Sequence, residues 1–202
     1  TQGQDERLLD FSQLRQLTRS FLGLYETHAG RPFPQDAREQ LSGAIEAVFA
    51  SWNADKAVQY RRIHQIDHDM GTAVILQRMV FGNTGGHSGA GVGFTRDPGT
   101  GEPRLWVDFL ANAQGEDVVS GRRNAHGHAT LAAVAPDAWK QLQASAQALE
   151  QHFGDMQDFE FTVQDGVLHM LQTRSAKRTP LAAARIALDL LDEGLIDSAE
   201  AL

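Results

Sequence analysis

The stretch MQDFEFTVQDGVLHMLQTR, residues 156–174, contains two runs rich in aromatic, aliphatic and β-branched residues on either side of Asp165-Gly166. Strand-forming runs separated by Asp-Gly are typical of a β-hairpin. Four polar side chains occur in this hairpin at spacings of two residues: Asp158, Glu160, Gln172 and Arg174. Residues i and i+2 of a strand lie on the same face, so the two acidic residues share a face, and so do the glutamine and the arginine.

The length of the turn determines whether the two polar pairs lie on the same side of the hairpin. A two-residue turn would pair Glu160 with Leu171 and place the pairs on opposite faces. A three-residue loop, residues 164–166 with Gly166 as a bulge, would pair Glu160 with Met170 and bring all four side chains together. We predict the three-residue loop. Its opposite face would be apolar and would contain five residues: Phe159, Phe161, Val163, Val167 and Leu171.

Two carboxylates beside an amide and a guanidinium suit a site that binds a metal ion and a phosphate. Mg²⁺ prefers hard oxygen ligands and completes its shell with water and substrate phosphates, while arginine binds phosphate through paired hydrogen bonds. The same pattern is also typical of a solvated sheet face with cross-strand ion pairs. The residues alone leave both interpretations open.

The composition narrows the class of protein. The chain has 202 residues, 42% of them hydrophobic, which is enough for one sizeable domain or two small ones. Its 18 basic and 26 acidic residues give a net charge of −8, which argues against binding to nucleic acid or to an anionic membrane through bulk electrostatics. The sequence has no cysteine, which favours a cytoplasmic protein, and no apolar run of about 18 residues that would span a membrane.

Hydrophobic periodicity and turn residues predict an α+β fold, with a mostly antiparallel sheet flanked by helices. Helices are predicted over residues 6–29, 36–53, 136–153 and 180–194. Strands outside the hairpin are predicted over residues 72–81, 92–97 and 104–110. Residues 82–91 are predicted to form a glycine-rich loop, compatible with a phosphate cradle or with a plain flexible loop, and residues 112–121 a polar loop.

Several further residues are more typical of the surface or of the core than of a site. Four are predicted to be exposed: Arg61, Arg62, His126 and His128. Three aromatic residues on helices are predicted to be part of the core: Phe49, Trp52 and Trp139.

Six motifs occur in the order found in the nucleotide-binding part of pyruvate phosphate dikinase, and the chain resembles that family from about residue 30 to 202. The motifs are FPQDAREQLSGAIEAVFASWN, YRRIHQI, GTAVILQRMVFGN, SGAGVGFTRDPGTGE, DFLANAQGEDVVSG and DFEFTVQDGVLHMLQTR. The resemblance implies an ATP-grasp fold, in which ATP lies between two α+β lobes and Mg²⁺ ions hold its phosphates. It divides the chain into a neighbouring helical segment, part of a first lobe with a crossing strand, a second lobe with the hairpin, and a helical connection: residues 1–34, 35–80, 81–176 and 177–202.

The resemblance also implies roles for individual residues. The metal-binding carboxylates would be Asp158 and Glu160. The contacts to the transferring phosphates, and thus the catalytic residues, would be Gln172 and Arg174. The remaining contacts to ATP would be Gln77, Met79, Val80, Gly91, Asp108 and Glu116, of which the first three belong to the segment that crosses between the lobes beside adenine. Asp108 stands where the family more usually has Glu, and Gly89-Ala90-Gly91 lacks a hydroxyl residue that the family often has in the middle.

Members of the family pass phosphoryl groups from ATP through a histidine on a swivelling domain to pyruvate, yielding phosphoenolpyruvate, AMP and pyrophosphate. The resemblance therefore implies ATP, AMP and phosphate as ligands, and the phosphohistidine and pyruvate-binding domains as partners. We expect a piece of a longer, homo-oligomeric protein that is inactive alone. His87 matches the phosphorylated histidine only superficially, because that motif lies well downstream. The alternatives are phosphoenolpyruvate synthase or a related dikinase, and a non-catalytic nucleotide-binding module.

Overall fold

The structure, a computed structural model, describes residues 9–119 and 126–201. It divides into two compact units, the first ending at Gln77 and the second beginning at Arg78. The start of the first predicted helix, residues 6–8, and the side chain of His126 lie outside the described residues. None of the helices in the described ranges combines the length and the hydrophobicity needed to cross a membrane.

The first unit consists of three α-helices and a short 3-10 helix. Their bounds are α1 Phe11–Ala29, α2 Ala37–Ser51, α3 Asp55–His64 and the 3-10 helix His68–Met70. Asp10 caps α1 by accepting a hydrogen bond from the Gln13 backbone N–H, and Asp36 caps α2 by accepting from two backbone N–H groups. The first two predicted helices are therefore confirmed, whereas α3 was not predicted.

Arg61 of α3 joins the end of α2 to the 3-10 helix. Its guanidinium lies 3.8 Å from the centroid of the Trp52 ring and donates hydrogen bonds to the Trp52 carbonyl at 2.7 Å and to His68 Nδ1 at 3.2 Å. Arg61 is only 3% exposed, so the prediction of a solvated charge there is wrong. The aromatic ring and the hydrogen-bond acceptors replace the water that an exposed guanidinium would bind. Arg62 is exposed, as predicted.

The apolar faces of α1 and α2 remain exposed within the first unit. Phe21 is 60% exposed and Phe49 is 50% exposed. Among residues 9–77, no hydrophobic side chain is fully buried. The prediction that Phe49 is part of the core is therefore wrong, because the helices of this unit do not cover the apolar stripe of α2.

Residues 72–81 belong to no strand of the described chain, so the strand predicted there is wrong. A strand needs a neighbour that supplies its backbone hydrogen-bond partners, and none of the described strands pairs with this segment. Most of its apolar side chains are also exposed, among them Ile75 by 87% and Met79 by 69%. Hydrophobicity alone did not reveal that this segment pairs with none of the described strands.

The second unit is built on an antiparallel sheet with the strand order β3-β2-β1-β4-β5. The strands are β1 Gly89–Phe94, β2 Trp106–Ala111, β3 His126–Gly127, β4 Gln157–Gln164 and β5 Val167–Ser175. The helices are α4 Gly115–Val119, α5 His128–Val134, α6 Pro136–Phe153 and α7 Pro180–Asp192. The α+β class, the hairpin strands and the two long helices are confirmed. The predicted polar loop at residues 112–121 instead includes α4.

The main core lies between α5, α6 and one face of the sheet, which we call the core face. Three phenylalanine rings of β2 and β4 fill this face next to three glycines of β1. The closest pairs are Gly89 with Phe109, Gly91 with Phe161, and Gly93 with Phe159. A Cβ atom at Gly91 would lie 2.4 Å from Cζ of Phe161, so a side chain there is incompatible with the ring. Trp139 of α6 packs against the same core, as predicted.

Replacing Gly91 with alanine should lower the free energy of unfolding by about 1–3 kcal/mol, because the methyl group would displace the ring of Phe161 or push the strands apart. The matched control is Gly86→Ala, since nothing lies within 4 Å of a Cβ atom at that position. Urea denaturation of the two variants is the measurement. Equal stabilities would contradict the glycine–phenylalanine packing.

Arg96, which follows β1, connects the sheet to α6 and α7 through ion pairs of its buried guanidinium. Its Nη2 atom lies 2.8 Å from Glu150 and 3.0 Å from Glu193, and its Nη1 atom lies 3.2 Å from Asp189. Arg96 is 1% exposed. Burial opposes the charge, but hydrogen bonds and charges from Glu150 and Glu193 outweigh it and raise the pKa of Arg96. The ion pairs thus hold α7 against the sheet.

Arg96→Met should destabilise the second unit by about 3 kcal/mol or more, because removing one member of a buried ion pair leaves the partner carboxylates without their countercharge. Arg104→Met is the matched control, since the Arg104 side chain is 68% exposed and its one ion pair among the described residues is with Asp97 at 3.3 Å. Chemical denaturation should show at most a small change for the control. A loss of similar size in both variants would contradict the role of Arg96.

Candidate functional site

The hairpin of β4 and β5 turns at Asp165-Gly166. Both residues have positive φ angles, 51° and 82°, and the flanking residues Gln164 and Val167 pair with each other. These features define a two-residue turn of type I′, in which glycine and aspartate tolerate the left-handed conformation. The predicted three-residue loop is therefore wrong.

The extra residue that brings the polar pairs together lies farther along the hairpin. Phe161 pairs with Met170 and Glu160 pairs with Gln172, which leaves Leu171 as a β-bulge. The bulge shifts β5 by one residue relative to β4. Beyond the bulge, at the open end of the hairpin, the side chains of β5 therefore lie on the faces that a three-residue loop would have given them. The four polar side chains lie on one face, as predicted, but by a different route.

The apolar side of β5 also differs from the prediction because of the bulge. Leu168 and Met170 pack against the core, since they pair with Val163 and Phe161. Val167, which was predicted to be on the apolar face, is 54% exposed. Leu171 is the bulged residue and is not part of the core cluster.

The face opposite the core face, which we call the polar face, carries a row of aligned residues across four strands. The strand register aligns Asp108 of β2, Val92 of β1, Glu160 of β4 and Gln172 of β5. Neighbouring strands are about 4.8 Å apart, so Glu160 and Gln172 are adjacent and Asp108 lies two strands from Glu160. The sheet therefore brings Asp108 onto the same face as the two carboxylates of the hairpin.

The next row along the polar face contains an ion pair. Asp158 pairs with Arg174, whose Nε–H donates to both carboxylate oxygens at 2.9 and 2.8 Å. The Asp158 side chain is 16% exposed, whereas that of Arg174 is 63% exposed. The hydrogen bond and charge of Asp158, with a smaller contribution from Glu160, raise the pKa of Arg174. Within the described chain its Nη atoms form no hydrogen bond, which leaves them available to an anion.

The polar face has an excess of negative charge that suits a cation. Asp108, Asp158 and Glu160 contribute three carboxylates, while Arg174 contributes one guanidinium. Among the described residues, no three histidine, aspartate or glutamate side chains are close enough together to hold a metal ion. Two neighbouring carboxylates are nevertheless the usual protein contribution to Mg²⁺ that also binds phosphates. Asp158 and Glu160 therefore fit Mg²⁺ as a pair.

Two of the other predicted ATP contacts lie on different elements. Gly91 was predicted to lie in a glycine-rich loop, but it lies inside β1, paired with Phe109 on one side and Phe161 on the other. The loop is shorter than predicted, because β1 begins at Gly89. Glu116 is exposed in the first turn of α4, a helix that packs against β1 and β2. The contacts of Gly91 and Glu116 to ATP stay predictions.

The three residues predicted to lie beside adenine belong to the unpaired extended segment. Gln77 ends the first unit, and Met79 and Val80 are at the start of the second. Met79 is 69% exposed, and Val80 is half-buried. Since this segment pairs with no strand in the described ranges, its backbone groups are not used in a sheet. The contacts of these residues to adenine stay predictions.

The residues that connect the loop to the tip of the hairpin were not predicted from the sequence. Between the described residues 81–88 and the hairpin tip, residues 164–166, four hydrogen bonds form. They are Phe81 N to Gln164 Oε1 at 2.8 Å, Thr84 Oγ1 to Asp165 Oδ1 at 3.2 Å, Asp165 N to Ser88 Oγ at 3.0 Å, and Gly166 N to His87 O at 2.9 Å. The partners are about eighty residues apart, so no local pattern indicated them. The one signal in the sequence was strand alternation, which places Gln164 on the same face as Asp158 and Glu160.

The three histidines considered in the sequence analysis, His87, His126 and His128, belong to segments outside the hairpin. His126 belongs to β3, and the side chain of His128 is exposed, as predicted, and stacks on Trp139 with 5.4 Å between ring centroids. His87 is exposed, and its Nδ1 atom lies 3.0 Å from the Val134 carbonyl. These contacts give His128 and His87 structural partners.

Comparison with known proteins shows the family. The family model described as "Pyruvate phosphate dikinase, AMP/ATP-binding domain" matches residues 15–128 and 126–194. Over 195 residues, the chain is 49% identical to the pyruvate, phosphate dikinase of Clostridium symbiosum, covering 96% of this chain and 22% of that protein. Over 194 residues, it is 47% identical to the chloroplastic pyruvate, phosphate dikinase of Mesembryanthemum crystallinum, covering 96% and 20%.

A third relative is the pyruvate, phosphate dikinase of Rhizobium meliloti, which is 49% identical over 185 residues. The chain spans roughly one fifth of the length of these curated relatives. The matched region contains all the strands of the sheet and the polar face described above. The chain belongs to the AMP/ATP-binding domain family of pyruvate phosphate dikinase.

Proposed function

We propose that this chain binds ATP with Mg²⁺ and provides the nucleotide site of a pyruvate, phosphate dikinase. In this reaction, phosphoryl groups pass from ATP through a histidine on a separate domain, and pyruvate and phosphoenolpyruvate are interconverted with AMP and pyrophosphate. The partners would be ATP, AMP, phosphate, the phosphohistidine domain and the pyruvate-binding domain. We place the protein in the cytoplasm as part of a homo-oligomer. The names of the relatives support the reaction, and the geometry of the polar face supports the nucleotide site.

The observation that carries the proposal is the arrangement of Asp158, Glu160, Gln172 and Arg174 on one face of a rigid hairpin. Glu160 and Gln172 face each other across the strands, and Asp158 and Arg174 form the neighbouring pair. Phosphoryl transfer depends mainly on positioning and on neutralising charge, and both requirements are met by groups fixed on strands. A solvated sheet face needs neither the bulge nor the alignment with Asp108.

Asp158 and Glu160 would hold Mg²⁺ through their carboxylate oxygens. When bound, Mg²⁺ would neutralise charge on the phosphates that it contacts. Gln172, next to Glu160, would orient a phosphate oxygen through its amide N–H groups. Arg174 would use its exposed Nη atoms to bind a phosphate while Nε stays on Asp158. The existing ion pair limits the freedom of the guanidinium before the nucleotide binds.

The remaining contacts complete the proposed nucleotide site. Asp108 would face a metal ion or a ribose hydroxyl from two strands away, and Glu116 would approach from α4. The backbone of Gln77, Met79 and Val80 would recognise adenine, because an extended segment outside a sheet can offer N–H and C=O groups to a flat base. Gly91 would contribute through its backbone alone.

Glu160→Gln should weaken Mg²⁺-dependent ATP binding on the order of tenfold or more, because it removes a charged oxygen ligand while keeping the size of the side chain. Isothermal titration calorimetry of the natural full-length polypeptide, with and without Mg²⁺, is the measurement. Glu102→Gln in the β1–β2 turn is the matched control, since the side chain of Glu102 is 50% exposed and its ion-pair partner, at 3.8 Å, is Arg185 of α7. If the unsubstituted protein binds ATP and Glu160→Gln binds it with the same affinity, a non-catalytic nucleotide-binding module would be favoured.

A second candidate is phosphoenolpyruvate synthase, which shares the nucleotide site but differs in the acceptor of the second phosphoryl group. We expect the full-length protein to form pyrophosphate only when inorganic phosphate is supplied. Product analysis by phosphorus NMR with ATP and pyruvate measures this directly. Release of phosphate without pyrophosphate would favour the synthase.

A further inference from the structure

The loop at residues 81–88 is hydrogen-bonded to the tip of the hairpin, and one of the four bonds is accepted by a side-chain amide. The Oε1 atom of Gln164 accepts the backbone N–H of Phe81 at 2.8 Å, across 83 residues of sequence. A side-chain amide here takes the role that the carbonyl of a neighbouring strand would have in a sheet. Phe81 itself belongs to the segment that pairs with no strand in the described ranges. Gln164 is therefore the β4 residue that fixes the end of this segment.

Gln164 lies in the same line of side chains as the proposed metal ligands. Alternation along β4 places Asp158, Glu160, Thr162 and Gln164 on the polar face. Glu160 and Gln164 are four residues apart, which corresponds to about 13 Å along a strand. One rigid strand thus carries the carboxylates at one end and holds the Met79–Phe81 segment at the other. An extended nucleoside triphosphate fits a span of this kind.

We propose that Gln164 is a positioning residue that sets the distance between the base-binding segment and the phosphate-binding carboxylates. This inference rests on the proposed function, because it assigns Met79 and Val80 to the base and Asp158 and Glu160 to the metal and phosphates. Gln164 touches neither part of the nucleotide. Its hydrogen bond to Phe81 holds the backbone of Val80 in place, so that binding of the base and of the phosphates reinforce each other.

The bond is supported by its neighbours in the hairpin tip. Thr84 and Ser88 lie 2.7 Å apart through their hydroxyl groups and both contact Asp165. Ser88 is fully buried, and its carbonyl accepts the N–H of Asn112. The far end of the loop therefore stays attached when the bond of Gln164 is removed. A substitution at Gln164 should release residues 79–81 locally rather than unfold the hairpin.

The test compares two probes in the natural full-length polypeptide: ATP with Mg²⁺, and tripolyphosphate with Mg²⁺, which lacks the base. Gln164→Leu removes the hydrogen-bond acceptor, and we expect ATP to bind about 3- to 10-fold more weakly while the affinity for tripolyphosphate stays the same. Gln164→Glu keeps an acceptor oxygen and should retain the affinity for ATP. Gln143→Leu, at an exposed position of α6, is the matched control for the gain in hydrophobicity.

Amide hydrogen exchange provides a second readout that does not depend on nucleotide binding. The Phe81 amide should exchange faster in Gln164→Leu than in Gln164→Glu, whereas the Gly166 amide, bonded to the His87 carbonyl, should be unchanged. Faster exchange at both amides would mean that the whole tip had loosened, and would overturn a role specific to Phe81.

The outcomes separate this inference from the proposed function. If the unsubstituted protein binds ATP and Gln164→Leu binds it equally well, the positioning role is overturned and the nucleotide site stands. An equal loss of ATP and tripolyphosphate binding in Gln164→Leu would also overturn it, because a purely structural defect affects both probes. If the unsubstituted protein binds neither probe, the proposed function itself fails, and the role of Gln164 fails with it.

Discussion

The packing of phenylalanine rings over the glycines of β1 is the constraint on which the second unit depends. Phe159 and Phe161 must face α6 to be buried, and the alternation of a strand then obliges Asp158 and Glu160 to face the other way. The ring of Phe161 leaves no room for a side chain at Gly91, and the ring of Phe159 leaves none at Gly93. The core therefore sets the direction of the charged groups without touching them. A requirement of hydrophobic burial thus fixes the orientation of a polar face.

Two arginines in this unit illustrate how the surroundings of a charge decide its use. Arg96 is buried among Glu150, Asp189 and Glu193, so its N–H donors bind carboxylates of the protein itself. It therefore links the sheet to the helices. Arg174 is exposed and bonded to Asp158 through Nε alone, so it keeps donors for an external anion. Moving a buried guanidinium requires the partner carboxylates to move too, whereas an exposed one reorients at little cost.

The sequence predicted the parts of this molecule that depend on local patterns. Capping residues and apolar stripes located the long helices, and the spacing of Asp158 and Glu160 located the shared face of the hairpin. Features that depend on distant partners were missed or wrong. The segment at 72–81 has the composition of a strand but pairs with no described strand, Arg61 is buried by a ring nine residues away, and Gln164 bonds across 83 residues. The extra residue was predicted in the turn rather than at Leu171, because a longer turn and a bulge both move the side chains of β5 to the opposite face of the sheet.

The bulge at Leu171 also separates the hairpin into two halves that can vary independently. Between the turn and the bulge, the register positions the residues that bind the loop at 81–88. Beyond the bulge, it aligns Glu160 with Gln172. An uninterrupted ladder would link the two, since any one-residue change in the turn would reverse every side chain of β5. With the inserted residue, a lineage can gain or lose a residue in the turn and compensate at the bulge. Homologous hairpins with turns of different length can therefore present the same polar face at the same total length, and an alignment without gaps would conceal the difference in the turn.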